Sequence, residues 1–381
     1  MAYMKKILVM ESGSFKTFGG AAKATYDIYR YLKNCRAYDV DLYGDFSKID
    51  AGAKRSGVKA LKEKAYDAVL INSIRDVPVI KSCLVGQRSG KARFIYTDRG
   101  NVLLNFRNAR LGRLLPKMLL RQHFMHEMRK WLGVYIAISA EQQEYAKGFF
   151  TQDTKIEYLP IAPARNFVRM RRVHKEEWAL YIGRLDERQK KVGFLINGIK
   201  RVTELYPGSK GHVFLKIVGS GPDGERYKKQ AEGLGLGGNI AFAGFAEEKE
   251  LARIYNRAKF FVSASEWEGM SRTFVEAMAC GLPLLVNERN NTVVGYDPVR
   301  RMVNEGHNGL VYAYGDLDDF AEKFYLIYSD RKKRAELAEN AFLYGKQFNL
   351  RKNLMGYRKI IEANGKKPKP AWPFPKARSL P

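Results

Sequence analysis

Short runs of β-branched and aromatic residues alternate with longer stretches of helical period along the chain. This is the pattern of βαβ units whose strands pair in parallel. A first series of runs covers 6–12 (KILVMES), 40–45 (VDLYGD), 67–73 (DAVLINS), 93–98 (RFIYTD), 134–139 (VYIAIS) and 156–161 (IEYLPI). A second covers 178–183 (WALYIG), 213–219 (VFLKIVG), 240–245 (IAFAGF), 259–265 (KFFVSAS), 282–287 (LPLLVN) and 309–314 (GLVYAY). Between the two series, 162–177 (APARNFVRMRRVHKEE) is polar and basic with no strand period, so the domain boundary falls there. The pattern predicts two α/β lobes with a cleft between them. Ligands of open α/β sheets bind beyond the carboxyl ends of the strands, which makes the residues after each strand the ones to read for chemistry.

Composition narrows the class. The 381 residues are enough for two domains, each burying its own core. With 45% hydrophobic and 28% charged residues the chain is globular, and no apolar run reaches the ~18–20 residues of a membrane span. The first residues, MAYMKKILVMES, have too short an apolar run for a secretory signal and read as a first strand. Cys35, Cys83 and Cys280 lie far apart with no CxxC pair, and the five histidines form no metal-spaced cluster. This points to a reducing cytoplasm and predicts no metal and no other cofactor. The formal charge of +27 is unusual and calls for an anionic partner.

The segment with the most chemical content is 263–286 (SASEWEGMSRTFVEAMACGLPLLV). A helix starting near Ser271, a plausible N-cap, and stopping at Gly281 before Pro283 would be apolar nearly all round. Glu276 is its one acid, pointing about 160–200° away from Phe274 and Met278. A carboxylate there needs a partner: either a salt bridge to a neighbour such as Arg272, or a ligand. Glu268, in the preceding loop, reads either as a solvated acid or as part of the same site.

After the strand ending at Gly183, Arg184, Lys190 and Lys191 follow within eight residues. Cations at that position suit phosphate, although a solvated basic loop has the same composition. The run 218–225 (VGSGPDGE) is a tight strand-to-helix corner. In the first lobe, Gly19-Gly20 opens a helix whose amides would favour an anion, but the gap after the strand departs from the GxGxxG fingerprint.

Taken together, these segments resemble the retaining glycosyltransferases of the GT-B fold, family 4-like (glycosyl transferases group 1). The matching pieces are the Gly19-Gly20 turn, GRL…QK at 183–190, VGSGP at 218–222, FAGF at 242–245, Glu268 and Glu276 with seven residues between them, GLP, and HNGLVYAYGD at 307–316. They cover the second lobe almost completely and in the family's order; in the first lobe the likeness is mostly one of pattern.

The resemblance implies two Rossmann-like lobes with parallel sheets facing across a cleft. The acceptor-side lobe would be 1–165 and the nucleotide-sugar lobe 166–345. A helix at 346–364 would return to the first lobe, and a Pro/Lys-rich tail, 365–381, would be disordered. The implied activity is transfer of a sugar, with retention, from a nucleotide diphosphate donor to a hydroxyl of a glycan, lipid-linked or phosphate-rich acceptor. UDP is more usual in the family than GDP. No metal or covalent intermediate is implied.

Carried over residue by residue, Arg184 and Lys190 would hold the donor diphosphate, with Lys191 as the alternative to Lys190. Glu276 would take the ribose hydroxyls and Glu268 hydroxyls of the donor sugar. Gly19 and Gly20 would approach the diphosphate from the opposite lobe, and the backbone at Gly244-Phe245 would border the base. Charge developing on the leaving diphosphate would be stabilised by Arg184, Lys190 and the Gly19-Gly20 turn.

Two departures concern the sugar or acceptor side. Where many relatives have a His after the fourth strand, this chain has Thr97, Asp98 and Arg99. Asp98 is either a helix-capping loop acid or a group near the reacting sugar. The family's Asn-Gly after the sixth strand is replaced by IAPAR, 161–165.

The stretch 101–133 carries seven Lys or Arg and one acid among Leu, Phe, Met and Trp. It suits either an anionic membrane surface or packing on the first lobe, and with the first of these the enzyme would be peripheral on the inner face of the membrane. The competing function class is a basic polyanion- or nucleic-acid-binding protein on an inactive GT-B scaffold. No nucleic-acid recognition motif is present, so no specific nucleic acid is expected.

Overall fold

The computed structural model describes residues 3–11, 20–44, 64–72, 80, 92–99, 123–207, 214–266, 268, 270–290 and 301–363. The chain divides into two compact units, one running to Pro160 and resuming at Arg351, the other Ile161–Leu350.

In the first unit six parallel strands are ordered β2-β1-β3-β4-β5-β6. They are β1 (Lys5–Met10), β2 (Tyr38–Tyr43), β3 (Ala68–Ile71), β4 (Arg93–Thr97), β5 (Val134–Ala137) and β6 (Lys155–Tyr158). The central strands β3 and β5 are buried at every position, as a parallel sheet covered on both faces requires. Helices α1 (Gly20–Lys33) and α2 (Ala140–Phe149) belong to this unit. Leu8, Val69, Tyr96, Phe124, Met128 and Trp131 share one core.

The basic stretch is thereby partly located. Phe124, Met125, Met128, Trp131 and Leu132 are buried in the protein, so this part of 101–133 packs inward. His123 and His126 sit on its exposed side. Residues 101–122 lie outside the described residues.

The second unit also has six parallel strands, ordered β12-β11-β10-β7-β8-β9. They are β7 (Ala179–Ile182), β8 (Leu215–Val218), β9 (Ile240–Gly244), β10 (Phe261–Ser263), β11 (Leu284–Asn287) and β12 (Gly309–Tyr312). Their connections include the single-turn α3 (Glu187–Lys190), α4 (Val192–Leu205), α5 (Gly224–Gly233), α6 (Glu248–Arg257) and α7 (Arg272–Ala279), and α8 (Leu317–Ser329) and α9 (Arg331–Gly345) follow the last strand. Chain order reverses between β7 and β10, because β8 and β9 lie on one side of β7 and β10 to β12 on the other. This switch point is where a doubly wound sheet leaves a crevice for a ligand.

All twelve strand runs read from the sequence correspond to observed strands. The last described helix, α10 (Leu350–Glu362), packs on the first unit. Its Tyr357 hydroxyl lies 3.2 Å from Thr97 Oγ1 and accepts from Arg99 Nη2 at 3.0 Å. Tyr38 donates to Glu362 at 2.6 Å, and Arg93 Nη1 donates to the Ile360 carbonyl at 2.8 Å. The Pro/Lys-rich tail lies outside the described residues.

Candidate functional site at the switch point of the second sheet

The loop after β7 is held in place by its neighbour after β8. Gly183 N donates to Val218 O at 3.1 Å, Leu185 N to Ser220 O at 3.0 Å and Asp223 N to Leu185 O at 3.1 Å. Two glycines make this approach feasible. A Cβ on Gly219, whose φ is +140°, would lie 1.9 Å from Gly183 O, and one on Gly221 would lie 2.3 Å from Leu185 O. Neither separation leaves room for a side chain, so the VGSGP corner is a backbone-packing device that fixes where Arg184 starts. Gly219 N donates in turn to Gly244 O at 2.7 Å. There Gly244 takes a φ of +69° and Phe245 is 69% exposed.

Asp186 organises the cations. It caps α3, accepting from Arg188 N at 3.1 Å, as expected of an aspartate at N-cap. Its Oδ2 also lies 3.0 Å from Arg184 Nη2 and 3.1 Å from Arg188 Nη2. With 2% of its surface exposed, Asp186 is held below the usual carboxylate range, chiefly by the Arg188 hydrogen bond and then by the Arg184 charge, against the opposing effect of burial. Its carbonyl accepts from Lys190 N at 2.8 Å. Between α3 and α4, Lys191 adopts the left-handed region, φ 49° and ψ 40°, which costs a side-chain-bearing residue roughly 1–2 kcal/mol.

The loop after β10 closes on this arrangement. Glu266 N donates to Gln189 O at 2.7 Å, and Lys190 Nζ pairs with Glu268 Oε1. Both side chains are largely buried, at 19% and 13% exposure. The Glu266 carboxylate takes the Tyr314 hydroxyl and sits 3.2 Å from Arg289 Nη1. Arg289 lies over the Tyr314 ring at 3.8 Å from its centroid.

On α7, Glu276 Oε1 accepts from Arg272 Nε at 2.9 Å and Oε2 from the Tyr255 hydroxyl at 3.2 Å. The salt bridge anticipated from sequence is therefore present. Burial, and then the Glu276 charge, push the Tyr255 hydroxyl well above its ordinary value, so it stays protonated.

Of the residues singled out by sequence, Arg184, Lys190, Lys191 and Glu268 lie on the two linked loops of the switch point, and Glu276 lies on the helix that follows. Gly244 ends β9 and Phe245 follows it, joined to the same loops through Gly219. Gly20 opens α1 in the other unit, and Gly19 lies outside the described residues. Asp98 is completely buried in the first unit. It accepts from the Tyr135 hydroxyl at 2.9 Å and from that of Tyr96 at 3.3 Å.

Two features escaped the sequence reading. Asp186 had a local signal, an aspartate opening a charged helical turn just after a strand. The Glu266–Tyr314–Arg289 group had none, since its members follow three different strands.

Chemically, the switch point offers cations for a polyanion beside carboxylates that can accept from hydroxyls. Among the described residues, no group of three or more His, Cys, Asp or Glu side chains could hold a metal ion.

Comparison with known proteins agrees in the second unit. Residues 165–343 match the family model described as glycosyl transferases group 1. The lipopolysaccharide 1,6-galactosyltransferase of Salmonella typhimurium is 29% identical over 191 residues, 49% of this chain and 50% of that protein. An uncharacterized glycosyltransferase of Methanocaldococcus jannaschii is 30% identical over 177 residues, 46% of this chain and 45% of that protein. The matched region thus spans about half the length of these curated relatives.

Among solved structures, Anabaena HepE in complex with UDP and glucose superposes with a TM-score of 0.72 at 17% identity, covering 94% of this chain and 99% of that one. Sucrose-phosphate synthase from Thermosynechococcus elongatus gives 0.71 at 17% identity, covering 93% and 98%. The two Rossmann-like lobes are those of the GT-B fold.

Proposed function

We propose that the chain, whose residues 165–343 match the model described as glycosyl transferases group 1, is a retaining glycosyltransferase that moves a sugar from a nucleotide diphosphate donor to an acceptor hydroxyl. The observation that carries this reading is the cluster at the β7/β10 switch point, where Arg184 and Lys190 stand beside Glu268 on loops pinned to one another. Arg184, steadied by Asp186, and Lys190 bind the diphosphate and stabilise the charge that develops as it leaves. Lys191 is the adjacent cation. Glu268 accepts from hydroxyls of the donor sugar and steers Lys190. Glu276 accepts from the ribose hydroxyls, and the exposed Phe245 beside Gly244 borders the base.

UDP is the favoured nucleotide, supported by the UDP present in the HepE complex. The acceptor is a glycan, lipid-linked or phosphate-rich hydroxyl compound, and the chemistry needs no metal. Asp98, which accepts from two tyrosines, is read as structural rather than as a group near the reacting sugar.

The test is a thermal-shift screen of nucleotide sugars, followed by mass spectrometry and anomeric NMR of products formed with lipid-linked and polymer acceptors in the presence of chelator. The reading predicts stabilisation by a UDP-sugar and a product with the donor's anomeric configuration. Inversion at the anomeric carbon would exclude retention, and the absence of any transfer or donor binding would exclude the enzyme reading.

A further inference from the structure

The segment that opens the second unit has an organisation that sugar transfer does not require. Phe167 is buried edge-on against Tyr255, centroids 5.5 Å apart. Just beyond it, the buried amide of Asn256 on α6 holds the backbone at both ends of a short span. Its Nδ2 donates to Val168 O at 3.0 Å, and its Oδ1 accepts from Met170 N at 2.8 Å. Asn256 is 2% exposed and is itself tied to Ala252 O at 2.8 Å. The span is therefore fixed from beneath, yet Val168 is 54% and Met170 38% exposed. Arg172 follows with a φ of +60°, a conformation that a residue with a side chain adopts only at a local cost.

The charge on this span is one-sided. Residues 165–172 contain four arginines and no acid, and all four are exposed. Arg169 turns back onto α9, where it pairs with Glu339 and lies 5.1 Å from the Phe342 ring centroid. Next to Phe342, Leu343 is 50% exposed. Arg165, Arg171 and Arg172 have no ion-pair partner among the described residues. Exposed apolar side chains on a pinned backbone, with unpaired cations within a few residues of them, match the chemistry of an anionic bilayer surface. There, side chains enter the headgroup boundary while arginines meet lipid phosphates. Because Asn256 has already ordered the backbone, docking loses little conformational entropy. A soluble polyanion would use the arginines but leave Val168 and Met170 without a role.

We propose that this span, Val168 and Met170 with Arg165, Arg171 and Arg172, docks the protein onto membranes rich in anionic lipid. No helix among the described residues is long and apolar enough to cross a membrane. The proposal does not depend on the transfer reaction.

The test is co-sedimentation of the full chain with vesicles of phosphatidylcholine alone or mixed equally with phosphatidylglycerol. The expected result is binding to the mixed vesicles. Arg171→Ala/Arg172→Gly, which removes two cations and relieves the left-handed arginine, should weaken that binding about thirtyfold, at ~1 kcal/mol per cation. Val168→Asp/Met170→Asp should weaken it about tenfold or more, at the cost of placing two charges in the interface. Arg110→Glu/Arg113→Glu, in the other basic stretch, should retain most of it.

Equal binding of wild type to neutral and mixed vesicles would overturn the proposal. So would wild-type binding by both span variants, or loss confined to Arg110→Glu/Arg113→Glu. Arginine dependence without any effect of Val168→Asp/Met170→Asp would overturn it in favour of a soluble polyanion.

Discussion

The carboxyl edges of the two sheets use the same residue types in opposite ways. In the first unit the acids that end the strands accept from hydroxyls of the protein itself: Asp98 from Tyr96 and Tyr135, and Glu11 from Thr25 at 2.8 Å. In the second unit the acids that follow the strands are matched with cations, Asp186 with Arg184 and Arg188, Glu268 with Lys190. A buried carboxylate that accepts from protein hydroxyls is held by the fold. Cations paired with carboxylates are held in place at the ends of these loops, where they can meet a phosphate. On the proposed function, a shared architecture carries a structural edge and a chemical one, and the two differ in the partners that these acids are seen to face.

The comparison can be broken most severely at Asp98. Asp98→Ala leaves two buried tyrosine hydroxyls without this acceptor, at about 1–3 kcal/mol each. Stability measured by urea denaturation should fall by several kcal/mol, whereas a loss of activity at unchanged stability would move Asp98 into the chemical class.

On the other edge, Lys190→Met should weaken donor binding by roughly ten- to a hundredfold, the worth of a charge-assisted contact. Calorimetry would read this directly, and unchanged affinity would mean that the Lys190–Glu268 pair is only structural.

A smaller effect concerns acid. The carboxyl of Asp186 is depressed in the folded state from an ordinary value of 3.8. Its contribution is therefore complete above that value and is lost as pH falls through the lower folded one. Asp186→Asn should be less stable than wild type near neutrality, with the gap closing below about pH 4. Melting curves across pH would show it, and a gap that widened on acidification would contradict the assignment.

The smallest expected change is at Lys191. Lys191→Gly should keep stability within about 0.5 kcal/mol of wild type, relief of the left-handed strain offsetting the added chain entropy, while Lys191→Val should cost more than ~1 kcal/mol. Equal melting temperatures for the two variants would refute this.

Much of this organisation was legible in the sequence. Strands buried on both faces leave unbroken apolar runs such as AVLI and VYIA, and the motifs that follow them are local. Arg184, Lys190 and Glu268 could thus be named, and Glu276 stood out as a lone acid on an apolar helix. Other features rest on contacts between distant segments. Nothing near Asp98 in sequence reveals that Tyr135 will cover it, because β4 and β5 become neighbours only in the sheet. The role of Gly219 and Gly221 appears only once the β7 and β8 loops touch, and the Glu266–Tyr314–Arg289 group draws on three strand ends. Residues 123–132 show the same limit from another side: a basic amphipathic pattern suits a membrane or a core equally, and the packing partner decides.

The central claim is that the second lobe binds the donor at its switch point. The most direct test is titration calorimetry of a UDP-sugar into wild type, Arg184→Ala and Glu276→Gln. The account predicts saturable one-site binding to wild type, about a hundredfold weaker in Arg184→Ala and at least several-fold weaker in Glu276→Gln. Equal affinities in all three proteins would contradict it.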